Sequence, residues 1–273
     1  MNQSDSTARV IAFDLDGTLA ESKSPIADRM SALLTRLLDV VDVCIISGGA
    51  YEQFTKQVVD RLDREKTAFT RLHLMPTCGT RYYSWTAGTW RQVYAEDMSA
   101  QDKEHVIDVL TDGAKELGLW ESEPAGEIIE DRGSQITFSA LGQKASGDAK
   151  KAWDPDGSKK ARLRDYAAAE LPDLEVRSGG LTSIDVTGKG IDKAYGMRKL
   201  MSYLDMGMDD ILFAGDRLDP DGNDHAVEAM GIRCVAVSNW QDTAGFIESL
   251  LDENPGAEGI VDVAAFRDRA DGA

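Results

Sequence analysis

The run Val10-Ile11-Ala12-Phe13, followed at once by Asp14-Leu15-Asp16-Gly17-Thr18, constrains this chain more than any other feature. Four apolar residues without a polar break read as a strand buried on both faces, as in parallel sheets covered by helices. Open α/β sheets place ligands beyond the carboxyl ends of such strands, where this chain puts two carboxylates and a glycine. On a turn leaving the strand, those carboxylates can converge on one metal and one phosphate. The plainer alternative is an acidic turn in which Gly17 supplies backbone freedom.

The neighbouring pattern supports the first reading. Ser24-Pro25 predicts a helix start, and Ile26, Met30, Leu33, Leu34, Leu37 and Leu38 recur at helical spacing. Val41 to Ile46 reads as a second strand, broken by Ser47-Gly48-Gly49. Tyr51, Phe54, Val58, Val59 and Leu62 then mark an amphipathic helix. From about Ala87 the style changes. Ser99 with Asp102 predicts a capped helix start. Ile136, Phe138 and Ala140 alternate with Gln135, Thr137 and Ser139, a half-buried antiparallel pattern. Asp154-Pro155-Asp156-Gly157 is a turn, a helix runs on to Glu170, and a strand pair surrounds Gly179-Gly180. From Asp192 the strand–helix alternation returns. The fold class expected is α/β: a Rossmann-like parallel-sheet core from residues 1–86 and 189–273, with an α+β domain inserted at 87–188. Trp85, Trp90, Trp120 and Trp153 fall in or near that insert.

Charge limits the partners. Thirty Lys and Arg against 48 Asp and Glu leave a net charge of −18, which repels nucleic acid and anionic membranes. An anionic substrate must therefore meet a local positive site. No apolar run approaches 18 residues, and the polar start lacks a signal core, so a cytoplasmic protein is expected. Cys44, Cys78 and Cys234 are odd in number and widely spaced, which argues against a disulfide framework or a zinc site.

Other motifs offer that positive site and its counter-ligands. Ser47 and Gly48, between a strand and a helix, could seat a phosphate, although Ser-Gly-Gly is also ordinary turn chemistry. Lys189 and Lys193 lie in Gly188-Lys189-Gly190-Ile191-Asp192-Lys193, where either could neutralise a phosphoryl oxygen or simply face water. The GxxxxGK[ST] of a phosphate-binding P-loop is absent. Gly215-Asp216 and Asn223-Asp224 add three oxygen donors beside a strand end, a set suited to Mg²⁺.

These four elements, in this order, resemble the haloacid dehalogenase superfamily of phosphotransferases. The large α+β insertion after the second resembles a type IIB cap, as in Cof-like hydrolases. Within that group the chain is most similar to eukaryotic-type phosphomannomutases and their bacterial relatives. The similarity rests on Ile129-Glu130-Asp131-Arg132-Gly133, Gly179-Gly180-Leu181-Thr182-Ser183-Ile184-Asp185-Val186, and the long loop from Gly215 to His225. The resemblance implies Asp14 as nucleophile and Asp16 as general acid and then base. It implies Ser47 and Lys193, with Gly48, around the transferring phosphoryl group, Lys193 fitting the motif spacing better than Lys189. Mg²⁺ would be held by Asp14, the Asp16 main-chain oxygen and Asp216, supported by Asn223 and Asp224. Arg132, Ser183 and Asp185 would bind a phosphorylated sugar under a closing cap, in a monomer or a cap-mediated homodimer. Neither nucleic acid nor membrane is an expected partner.

The chain departs from the mutase pattern where further arginines are expected, showing Lys23, Gln143 and Lys150 instead. Lysine keeps the charge but loses the planar fork, and Gln143 loses the charge. A mutase must grip phosphate at both ends of the sugar, whereas a phosphatase needs one good site and access for water. The sequence thus favours a Mg²⁺-dependent phosphosugar phosphatase. The alternative is a phosphomannomutase, and third comes a catalytically silent sugar-phosphate-binding protein.

Overall fold

The structure, a computed structural model, describes residues 7–269 and divides into two compact units. The first comprises Met1–Ala95 and Asp192–Ala273, the second Glu96–Ile191. In chain order the first unit begins with β1 (Thr7–Ala8), β2 (Val10–Phe13), α1 (Asp28–Val40), β3 (Asp42–Ile46) and α2 (Tyr51–Gln57). β4 (Leu72–Met75), β5 (Arg81–Thr86) and β6 (Thr89–Ala95) follow. The second unit holds α3 (Ala100–Glu116), β7 (Ile129–Asp131), β8 (Gln135–Ser139), α4 (Gly147–Trp153), α5 (Ser158–Glu170), β9 (Leu174–Ser178) and β10 (Ser183–Gly188). The chain then completes the first unit with α6 (Lys193–Leu204), β11 (Ile211–Gly215), α7 (His225–Ala229), β12 (Arg233–Ala236), α8 (Trp240–Glu253) and β13 (Val261–Asp262).

The main sheet has the order β12-β11-β2-β3-β4-β5-β6. Its first five strands pair in parallel, and β5 and β6 add an antiparallel hairpin. The apolar run of β2 is buried on both faces because its side chains alternate between two cores. Ile11 and Phe13 join α1 and α8, while Val10 and Ala12 join α6. Each fully buried large side chain here contributes roughly 1.5–3 kcal/mol. Asp14 follows directly, its N–H still donating to Ala214 O of β11 (3.1 Å), so the first carboxylate leaves the sheet at a fixed place.

The second unit is a four-stranded antiparallel sheet, β7-β8-β10-β9, with α3 and α5 sharing its core. Ser99 caps α3 by accepting from Asp102 N (3.0 Å), and its hydroxyl donates to the Asp102 carboxylate (2.7 Å). Among the described residues no helix is long and apolar enough to cross a membrane.

Several details differ from expectation. The units divide at 95/96 and 191/192 rather than at 86/87 and 188/189. The β5–β6 hairpin extends the main sheet, and Trp85 and Trp90 pack on Phe69 of the first unit (5.1 and 5.8 Å between centroids). α1 starts at Asp28, not after Ser24-Pro25, because Ser24 O and Ile26 N are bonded to Gln57. α2 ends at Gln57, and Val59–Arg61 form a separate short turn.

One close approach sets α6 against the sheet. A Cβ on Gly196 would stand 2.4 Å from Ile46 Cδ1 and 2.7 Å from Cys78 O, so only glycine fits. Gly196→Ala is expected to lower the melting temperature by roughly 3–10 °C, as overpacking costs about 1–3 kcal/mol. Gly245 of α8 has open space around its missing Cβ. Gly245→Ala should be neutral or raise stability by up to about 1 kcal/mol. Thermal unfolding of both variants beside the parent checks the contrast.

Candidate active site

Three chain segments meet beyond the carboxyl ends of β2 and β11. Asp192 caps α6 by accepting from Tyr195 N (2.8 Å), which places Lys193 at the first helical position. The Lys193 side chain is 1% exposed, and its Nζ lies 2.6 Å from both Asp14 Oδ1 and Asp224 Oδ1. Asp224, fully buried, takes a further bond on Oδ2 from Arg217 N (3.0 Å). It approaches because residue 215 is glycine, whose Cβ would stand 2.4 Å from Asp224 Oδ2. Asp216 is half-buried and accepts from Thr18 Oγ1 (3.2 Å). Gly17, at φ +91°, leaves it room: a Cβ there would meet Asp216 Oδ2 at 2.5 Å.

The electrostatics follow from one cation among three acids. Burial pushes the Asp14 carboxyl up to about 7, against the pull of Lys193, and Asp224 and Asp216 add to the rise. Burial acts to discharge Lys193, but Asp14 and Asp224 outweigh it and hold the ammonium above its ordinary value. Burial and the nearby Asp224 also raise Asp216. Asp14, Asp216 and Asp224 offer oxygens that all lie within 4.8 Å of one another. Three carboxyl groups face a single ammonium, an excess of acid over cation. An all-oxygen donor set with that excess fits a hard divalent cation such as Mg²⁺.

The other predicted residues divide. Ser47 is 6% exposed at the end of β3, with its hydroxyl accepting from Gly49 N (3.3 Å); Gly48 lies between them. Lys189 is exposed, as is Asn223. Lys23 is exposed, at φ +57°, and its backbone N–H donates to Asp16 Oδ1 (2.7 Å). The Asp16 carboxylate is turned toward α2, accepting from Gln53 Nε2 (2.8 Å) and Gln57 Nε2 (3.1 Å). Those two glutamines escaped the sequence reading. Their i, i+4 spacing directly after Ser47-Gly48-Gly49 was the available signal, and the apolar positions of that helix masked it. His225 donates through Nδ1 to Leu218 O (3.2 Å), outside the acidic cluster.

The second unit carries its own polar group. Gln135 Nε2 donates to Thr137 Oγ1 (2.9 Å), and the Thr137 hydroxyl donates to Asp185 Oδ1 (2.7 Å). Ser183 and Ser139 share a hydroxyl contact at 3.2 Å. Arg132 is nearly buried and donates to Glu130 Oε2 through Nε (3.0 Å) and an Nη (2.7 Å). Lys150 donates to Gln143 O (3.4 Å), and burial lowers its pKa.

Comparison with known proteins gives the family and the fold. The model of the eukaryotic phosphomannomutase family matches residues 30–253. A probable phosphomannomutase of Caenorhabditis elegans is 25% identical over 256 residues, covering 91% of this chain and 97% of its own. A phosphomannomutase of Encephalitozoon cuniculi is 26% identical over 257 residues, covering 89% and 93%. Among solved structures, a haloacid dehalogenase-like hydrolase from Bacteroides thetaiotaomicron superposes with a TM-score of 0.61. It is 15% identical over 89% of this chain and 99% of its own.

Replacing Lys193 by methionine removes the cation and leaves two buried carboxylates facing each other. The expected loss of stability is about 3–5 kcal/mol, reduced as a carboxyl takes up a proton. Adding Asp224→Asn should recover part of it, with a coupling of at least about 1 kcal/mol in a double-mutant cycle of chemical unfolding. Strict additivity would contradict the mutual dependence described above.

Proposed function

The chain belongs to the eukaryotic phosphomannomutase family of the haloacid dehalogenase superfamily, and on that footing we propose that it is a phosphohexomutase. It interconverts a hexose 1-phosphate and a hexose 6-phosphate through an aspartyl phosphate. The observation that carries the reading is the buried Asp14, held at the end of β2 by an ammonium 2.6 Å away. A nucleophile for phosphoryl transfer needs positioning and nearby positive charge more than it needs basicity.

The steps follow from the chain's own groups. Asp14 attacks phosphorus through a carboxylate oxygen while the bond from phosphorus to the sugar oxygen breaks. Asp16 supplies the proton that the leaving oxygen takes up. Lys193 and the Ser47 hydroxyl hold the phosphoryl oxygens as charge moves across them. In the second half, a hydroxyl of the sugar monophosphate gives its proton to Asp16 as its oxygen attacks the phosphoaspartate, and Asp14 is released. Asp14, Asp216 and the Asp16 main-chain oxygen would hold Mg²⁺, with Asp224 anchoring Lys193 beside it. When bound, that ion neutralises the phosphoryl oxygens as a Lewis acid. In the second unit, Asp185 and Ser183 are suited to sugar hydroxyls and Arg132 to a distal phosphate.

Family membership therefore reverses the preference that the sequence alone gave to a phosphatase. A phosphosugar phosphatase stays as the second reading on a specific observation. The resemblance implies arginines where this chain has Lys23, Gln143 and Lys150, and burial disfavours the charge on Lys150. A weak grip on the second phosphate favours loss of phosphate to water.

The test is phosphorus NMR of the protein with Mg²⁺ and mannose 1-phosphate, with and without a hexose 1,6-bisphosphate primer. Mannose 6-phosphate should accumulate faster than inorganic phosphate, and chelation of the divalent ion should stop both. Inorganic phosphate alone would make the chain a phosphatase. Asp14→Asn is expected to remove turnover to below about 1 part in 10³ of the parent; retained turnover would remove Asp14 from its assigned role.

A further inference from the structure

Asp16 must carry a proton in both half-reactions, yet its carboxylate does not lie loose in solvent. An ionised carboxylate offers about four acceptor positions. Three are filled: Oδ1 by Lys23 N–H (2.7 Å) and Gln57 Nε2 (3.1 Å), Oδ2 by Gln53 Nε2 (2.8 Å). The two amides come from one face of α2, four residues apart, so a single helix orients both carboxylate oxygens.

Each partner is itself fixed. Gln57 is 3% exposed, and its Nε2 also donates to Ser24 O (2.7 Å). Its Oε1 has no hydrogen-bond partner among the described residues. The reverse amide orientation would set that oxygen against two acceptors, Asp16 Oδ1 and Ser24 O. The arrangement thus accepts an unpaired buried acceptor in order to aim both amide hydrogens. Gln53 reaches Asp16 by passing over Gly49, where a Cβ would stand 2.4 Å from Gln53 Oε1. Lys23 turns its N–H inward from a left-handed backbone conformation at φ +57°, unusual for a residue with a side chain.

We propose that Gln53 and Gln57 are positioning residues for Asp16, orienting both of its carboxylate oxygens and leaving one acceptor position open. The inference rests on the phosphoryl-transfer reading above and names parts of the site that the reading does not need. Amide bonds to an ionised carboxylate are charge-assisted and weaken by about half once it takes up a proton, so the hold can break in each cycle. After the hydroxyl proton passes to Asp16, the protonated oxygen gives up an amide bond and donates to the next leaving sugar oxygen. Giving that proton away restores the docked carboxylate.

The test uses leaving groups that differ in their need for a proton. Gln53→Met and Gln57→Met keep the side-chain length and remove the donors; Gln57→Met also removes the unpaired oxygen. kcat/KM is measured for a hexose 1-phosphate, whose alkoxide must be protonated, and for p-nitrophenyl phosphate, whose phenolate departs without help. For each variant the sugar phosphate value should fall roughly tenfold to a hundredfold, and the aryl value by less than about threefold. A merely structural role lowers both in proportion, and that result, or no loss on either substrate, overturns the proposal. Should Gln57→Met fail to fold, the half-buried Gln53→Met carries the same comparison. A parent protein that neither isomerises nor dephosphorylates the hexose 1-phosphate and leaves the aryl phosphate intact overturns the phosphoryl-transfer reading, and the inference falls with it.

Discussion

An ammonium sealed from water costs several kcal/mol unless its partners are close and well oriented. Lys193 meets that condition only because three separate segments arrive together. Asp14 is delivered by β2, Lys193 by the capped start of α6, and Asp224 by the loop that closes on Arg217 N. Shift any one of them by an ångström and a charge is left buried without its counter-charge. The glycines at 17, 196 and 215 are readable in this light. Gly17 and Gly215 each omit a Cβ that would stand under 3 Å from a carboxylate of the cluster, and Gly196 one that would stand as close to Ile46 and Cys78 at the start of the helix carrying Lys193. The cluster is thus a constraint on backbone packing as much as a set of reactive groups.

Much of this was legible in the sequence for a simple reason. Buried parallel strands need uninterrupted apolar runs, and Val10–Phe13 and Ile211–Gly215 supply them, so the positions of Asp14 and Asp216 followed. Lys193 was preferred over Lys189 through family likeness, and only its burial against two acids distinguishes it physically. What escaped was set by contacts distant in sequence. Nothing local reveals that Ser24 spends its carbonyl on Gln57 instead of starting a helix. Nothing in Thr89–Ala95 says that this strand extends the main sheet rather than joining the insert. The turning of Asp16 toward two amides is invisible in a motif that records only which residues are acidic.

The second unit presents a different physical problem, the ordering of neutral polar groups rather than control of charge. Its central strand β8 buries both faces, and the polar face is satisfied internally: Gln135 aims Thr137, which in turn donates to Asp185. This ordering leaves the rest of the Asp185 carboxylate as an acceptor, which suits a ligand rich in hydroxyl donors. Arg132 is held by Glu130 through two donors on one oxygen, which fixes the plane of its guanidinium. Gln143 and Lys150 offer no comparable planar fork.

The division of the chain has an evolutionary corollary. Asp14, Asp16, Lys193, Asp216 and Asp224 all belong to the first unit, while Arg132, Gln143, Lys150, Ser183 and Asp185 all belong to the second. The second unit has its own apolar core, so its stability draws on different side chains from those that surround the ion cluster. Substitutions in that core can therefore accumulate without disturbing the buried lysine, and their stability effects should add rather than compound. Such a lineage can remodel its insert one residue at a time while inheriting the ion cluster intact.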